Sequence, residues 1–291
     1  MKYIKIVFSV FVVLLVSFFV VKSCVHPKRA PYGEGIESKS LFFSKLVSPP
    51  HVVIAQRPLP SGQENVPVVS TTVPKMAIVL DDWGKNYPLL KNAIDIHRPL
   101  TIAILPNLSK SRQIAEEAYQ NGLGVMLHLP MEPKNKNEPL EPHTIMTSMT
   151  EKEILKYLDE AVSGVPHLEG ANNHMGSAAT SDARVMKIIL SRLKAQNLFF
   201  IDSHVISSTQ GPKVAREVGI RFNERDVFID NENKLDAIKK QLDRAKRIAL
   251  THGEVVVIGH DRKLTLQAIQ EMIPVFDQAG VKLVYARDVV K

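Results

Sequence analysis

Five apolar runs in this 291-residue chain stop on an acid or a histidine, the side chains that hold metal ions and move protons near neutral pH. Met76 to Leu80 meets Asp81-Asp82, and Val125 to Leu127 meets His128. Leu168 to Asn173 leads to His174, Leu198 to Ile201 to Asp202 and His204, and Val255 to Gly259 to His260. Neighbouring carboxylates at a strand end point to opposite sides of the backbone, so one can bind a cation while the other works on a water. Two such charges side by side repel unless a cation or a proton intervenes.

The other runs add ligands and donors. His128 and Glu132, four residues apart, can share one divalent ion, zinc or a similar metal. Asn172-Asn173-His174, followed by Gly176-Ser177, suits a substrate carbonyl or hydroxyl, though the same residues also make side-chain turns with no ligand. Asp202 and His204 can orient a further group or touch substrate. Ser203 between them lacks the glycines of a nucleophile elbow. His260 is the natural proton donor, because it changes charge near neutrality and sits opposite the first strand. Trp83 reads as core or as a pocket wall against substrate.

These residues converge only if the runs are parallel strands, whose C-terminal ends share one face. The sequence supports this. Apolar runs at 76–80, 101–105, 124–128, 168–172, 198–201, 254–259 and 281–285, with a weak strand near 220–223, alternate with helical periodicity. The helices fall at 87–97, 109–121, 151–163, 181–196, 211–218, 233–251 and 264–279. Ser109 is a candidate N-cap, and Thr150 with Glu153 forms a capping box. Ser181 or Asp182 opens the helix that follows. Seven or eight such units predict a (β/α) barrel, with an open doubly wound sheet as the alternative. Asp-Asp-Trp-Gly after the first strand would repel a pyrophosphate, which argues against a dinucleotide site.

Everything before residue 75 has another character. Lys2 and Lys5 precede Ile6 to Val21, an uncharged run read, within residues 1–24, as a membrane anchor or signal segment. Cys24, the sole cysteine, excludes an intramolecular disulfide and faintly resembles a lipoprotein acceptor. Residues 25–74 hold eight of the eighteen prolines and read as a flexible linker. The net charge of +7 also belongs mostly to this part: residues 1–74 carry eight basic against three acidic side chains, and residues 75–291 carry 29 against 27. The domain at 75–291 therefore lacks the basic footprint of a nucleic-acid binder. The expected partner of this part is a membrane, through the N-terminal segment, and no nucleic acid is expected. The expected site is the cell envelope, with the domain on the extracytoplasmic side.

At the motifs Ala77 to Gly84, Ala103 to Pro106, His128 to Pro133, Asn172 to Ser177, Phe200 to Ser203 and Ile258 to His260, the chain resembles the divergent polysaccharide deacetylases, relatives of the NodB-type carbohydrate esterases. The resemblance spans residues 75–291. It implies a distorted (β/α)₇ barrel and metal-dependent hydrolysis of N- or O-acetyl groups on an envelope glycan or peptidoglycan-type substrate. By similarity, Asp81 matches the general base, Asp82 and His128 match metal ligands, and His260 matches the general acid. The chain departs from the ordinary esterases by placing Glu132 where they carry a second metal histidine and Asn172-Asn173-His174 where they carry an arginine motif. The third ligand is thus Glu132 or His174. An anchored glycan-binding protein without turnover is the alternative function.

Overall fold

A computed structural model describes residues 73–291. The anchor expected at 1–24, Cys24 and nearly all of the 25–74 linker lie outside the described residues.

Side-chain alternation along the strands builds two cores. On the first strand, β1 (Lys75–Trp83), Met76, Ile78 and Leu80 face outward into a large cluster shared with the helices, while Ala77 and Val79 face a second, inner cluster. The inner cluster also takes Ala103, Met126, Phe199, Ile201, Val256 and Ile258 from other strands and contains no residue from an α-helix. Helices on one face and a strand-lined interior on the other describe a curled sheet, not a doubly wound one.

After β1 come α1 (Tyr87–Ile94), β2 (Thr101–Ile104), α2 (Ser111–Gln120), β3 (Gly124–Met131), α3 (Glu151–Gly164), β4 (Gly170–Met175) and α4 (Ala183–Ala195). The chain continues through β5 (Phe199–Asp202), α5 (Gly211–Val218), β6 (Phe222–Glu224), β7 (Val227–Phe228), α6 (Leu235–His252), β8 (Glu254–His260), α7 (Lys263–Gln278) and β9 (Lys282–Val284). Every strand pairing is parallel, in the order β6-β5-β4-β3-β2-β1-β8-β7. The end strands β6 and β7 share no ladder, so the expected seven-unit barrel is realised as a curled half-barrel with an open seam. One edge of β1 is divided, with β9 on Lys75–Ala77 and β2 beyond Val79.

Local signals explain most boundaries. Thr150 and Glu153 cap each other's backbone at α3, and Asp182 accepts from the Val185 N–H at α4. Ser109 does not cap α2. That helix starts at Ser111, whose hydroxyl donates to the Leu105 carbonyl and ties the helix entry to the end of β2. The strand expected to stop at His128 runs on to Met131, because β4 pairs with it as far as Met131↔Met175. Strand β7, two residues long, was not expected from the sequence.

Candidate metal centre and active site

The inner rows lead straight to the chemistry. Ala77 and Val79 continue to Asp81, Met126 continues to His128, Asn172 lies on the inner row of β4 with His174 two residues on, and Val256 and Ile258 continue to His260. Register aligns them across strands, with Asp81 opposite His260 and His128 opposite Asn172. The C-terminal mouth of the sheet therefore gathers groups that the sequence scatters over 180 residues.

Asp82 reaches the mouth by a different device. Its φ of 67° is left-handed, and the β1–β2 register slips between Leu80 and Trp83. This irregularity turns Asp82 toward the side that Asp81 faces, against the expectation that the two carboxylates diverge. His128 Nε2 consequently stands 3.7 Å from Asp81 Oδ2 and 3.3 Å from Asp82 Oδ1. Non-glycine residues adopt such a φ at some energetic cost, and sites that do so cluster where function requires them.

Three atoms converge at the centre. Asp82 Oδ1 is 3.2 Å from His174 Nδ1, and His174 Nδ1 is 3.1 Å from His128 Nε2. Ligands about 2.0–2.1 Å from one ion lie roughly 2.9 Å apart at octahedral corners and roughly 3.4 Å apart at tetrahedral ones. The observed separations of 3.1–3.3 Å fall inside that window. Asp82 Oδ1 is moreover buried and satisfied by no hydrogen bond. His128 Nδ1 lies 2.8 Å from the Asn172 side-chain oxygen and donates its hydrogen there, which leaves the Nε2 lone pair aimed at Asp82. An orphaned carboxylate oxygen facing two imidazole nitrogens is a donor set suited to a divalent cation, and among the described residues Asp82, His128 and His174 are the trio that can bridge one.

The electrostatics agree. Burial alone would raise Asp82, but the close approach of the His128 and His174 imidazoles outweighs it and holds the carboxyl far below the usual range. Burial would lower His128, yet the charge of Asp81 and the contact with Asp82 lift it to about 9, so protons compete for the space a cation would fill. Burial raises Asp81, with the His128 charge and the Asn172 hydrogen bond opposing. Asp81 Oδ1 accepts from Asn172 Nδ2 over 2.8 Å, which leaves Oδ2 toward the mouth.

His260 is held from behind. Its Nδ1 lies 2.8 Å from Asp230 Oδ1, its backbone N–H donates to Asp230 Oδ2 over 2.8 Å, and Thr265 donates to the same oxygen. Its Nε2 lies 3.8 Å from Asp82 Oδ2. Burial lowers the imidazole pKa, but Asp230 more than compensates and the net shift is upward. Gly259 permits this packing, since a Cβ there would strike Ile229 and Thr265.

The remaining candidates stand elsewhere. Glu132 is outside the trio, and its Oε2 takes the backbone N–H and the hydroxyl of Thr147, each at 2.6 Å. Trp83 is fully buried in the outer core and so is not a pocket wall. Asn172, also fully buried, bridges His128 and Asp81 and does not face substrate. Asn173 is spent on the Ser203 N–H and the Met175 carbonyl. Asp202, one position off the inner row, accepts from the His204 N–H and the Thr209 hydroxyl. His204 lies on the loop after β5, where its ring meets Glu224 at 3.3 Å.

Sequence reasoning missed Asp230, although Val227-Phe228-Ile229-Asp230 repeats the apolar-run-then-acid form that marked the other strands. It also missed Asp261, which is buried beside the mouth, accepts from Asn86 over 2.7 Å and is raised to about 7, burial being the main cause.

Fold and centre together define a parallel α/β half-barrel with an aspartate–histidine–histidine trio, suited to a cation, at its strand C-termini. The chain belongs to the divergent polysaccharide deacetylase family, which it matches over residues 78–290. It is 35% identical over 199 residues to the uncharacterized protein YibQ of Escherichia coli (strain K12), an alignment covering 68% of this chain and 62% of that protein. A second relative, an uncharacterized protein of Haemophilus influenzae, is 33% identical over 198 residues, 67% of this chain and 70% of that one. The match thus spans about 62% of the E. coli relative's length. Among solved structures, the uncharacterized protein ATU2773 from Agrobacterium tumefaciens C58 superposes with a TM-score of 0.72 at 19% identity, covering 76% of this chain and 91% of that one, a likeness of fold.

Proposed function

We propose that this protein is a metal-dependent hydrolase that removes N- or O-acetyl groups from a cell-envelope carbohydrate, with zinc as the leading metal. One observation carries the reading: the Asp82–His128–His174 trio shares its mouth with a buried carboxylate, Asp81, and a carboxylate-backed imidazole, His260. A divalent cation there supplies Lewis acidity toward the acetyl carbonyl and the attacking water. Asp81, fixed through one oxygen by Asn172, takes the proton of that water with the other. His260, its Nδ1 committed to Asp230, delivers a proton from Nε2 to the departing amine or alkoxide as the bond to the acetyl carbon breaks. Acetate and a free amino or hydroxyl group on the sugar result. Action on the extracytoplasmic side of the membrane is part of the proposal and rests on the composition of residues 1–74.

The test uses protein purified without a chelating tag, analysed for bound metal and offered acetylated oligosaccharides and peptidoglycan fragments. Stoichiometric metal, with acetate release lost in Asp81→Asn, supports the hydrolase. A metal-free protein that binds the glycan without releasing acetate overturns it in favour of a binding protein that has lost turnover.

A further inference from the structure

We infer that Asn172 is a positioning residue that couples the metal ligand His128 to the base Asp81, one amide group setting both. Its side-chain oxygen accepts from His128 Nδ1 at 2.8 Å and its nitrogen donates to Asp81 Oδ1 at 2.8 Å. The two contacts use opposite ends of one rigid amide, so the group cannot flip without losing both. Asn172 is fully buried, and its strand fixes it opposite His128 in the ladder. No other hydrogen bond competes for the amide among the described residues.

Each end has a chemical consequence. An acceptor behind Nδ1 fixes the imidazole tautomer and ring angle, which keeps the Nε2 lone pair on the point shared with Asp82 and His174. A donor to Asp81 Oδ1 fixes that carboxylate so that Oδ2 is the oxygen nearest His128 Nε2. A lysine or an arginine could serve only the carboxylate, and an aspartate only the imidazole. An asparagine serves both without adding charge to a mouth that already holds Asp81, Asp82, His128, His174 and His260. The amide thus organises the site from behind, without touching substrate.

Two substitutions separate the two ends. Asn172→Asp keeps an acceptor for His128 and sets a second carboxyl beside Asp81 in place of the amide donor, so that the pair shares one proton and Asp81 is weakened as a base, whereas Asn172→Leu, similar in size, loses both contacts. Zinc affinity, measured by competition with a chromophoric chelator, stays within about threefold of wild type in Asn172→Asp. It falls roughly 10–100-fold in Asn172→Leu. In the zinc-loaded protein, a slowly exchanging imidazole N–H proton resonance assigned to His128 is present in wild type and Asn172→Asp and lost in Asn172→Leu. On an acetylated oligosaccharide both variants lose kcat, while KM stays within about twofold.

Only the kinetic arm rests on the deacetylase reading. If wild type binds zinc but releases no acetate, that reading fails while the zinc and proton-resonance arms still decide the role of Asn172. Equal zinc loss in the two variants, or a raised KM with kcat unchanged, overturns the inference. Circular dichroism and the thermal midpoint verify that both variants fold.

Discussion

Asp230 holds His260 at two points: it accepts from the imidazole Nδ1 and from the backbone N–H of the same residue, both over 2.8 Å. One fully buried carboxylate thereby fixes the ring and the strand end that carries it. The pairing also decides charge. Asp230 is lowered although burial opposes it, and His260 is raised, so both favour their ionised forms.

Asp230→Asn is expected to reduce kcat by about 10²-fold or more, within the range general acid–base catalysis supplies. The sign of the pH effect follows from the raised His260. A proton donor with an elevated pKa stays protonated to higher pH, so the variant's alkaline activity limb moves to lower pH. An unchanged limb, in a pH series of kcat on an acetylated oligosaccharide, would place the acid on another residue.

Zinc should stabilise the wild-type protein and should need His174, not Glu132. At a free concentration of 100 times Kd, a ligand bound only by the folded state adds about 2.7 kcal/mol, roughly 5–10 °C in Tm for a domain of this size. Asp82→Asn and His174→Ala are expected to abolish the shift, which Glu132→Gln retains. Thermal melts with zinc and with chelator measure it, and loss in Glu132→Gln would return the third ligand to that residue.

Asp261 gives stability a pH dependence of its own. Its folded pKa is about 7 against an ordinary value of 3.8, so the folded state keeps a proton the unfolded chain has released. Its contribution is full at acidic pH and is lost as pH climbs from about 4 to about 7, at no more than about 1.4 kcal/mol per pH unit. Asp261→Asn should flatten that slope and raise Tm relative to wild type at pH 8. Melts across pH 4–8 in chelator test it, and parallel curves for the two proteins would contradict it.

Thr150→Ala should cost about 1 kcal/mol by removing the side-chain half of the α3 capping box, a drop of roughly 2–4 °C in Tm. Metal binding should be unaffected, since α3 lies on the outer layer. Both are read by melts and metal analysis of one preparation.

The strand ends were legible because a buried parallel strand must be apolar until it surfaces, so the first polar residue marks the mouth. That logic found Asp81, His128, His174 and His260. It failed where the backbone departs from regular extension. Asp82 was found as a candidate ligand, but its turn toward the side Asp81 faces depends on a left-handed residue and a register slip, neither of which leaves a compositional trace. Glu132, one of two residues left open as the third ligand, stands outside the trio because β3 continues past His128, carrying the carboxylate to Thr147. Asp202 is one residue out of phase with the inner row. Asp230 follows a strand of two residues, too short to show a period. Asn172 was found as a site residue, but its burial between His128 and Asp81 was not legible, because burial at the floor of a mouth depends on neighbouring strands.

The left-handed backbone at Asp82 bears on how this lineage can drift. A glycine would occupy that conformation without the roughly 1 kcal/mol penalty a side chain incurs there. The chain therefore carries one of its candidate ligands on strained backbone, where the contacts of the carboxylate with His128 and His174 offset the strain. Glycine in place of that aspartate would relax the backbone only by giving up both imidazole contacts, so strain and attraction at the mouth are two sides of one residue.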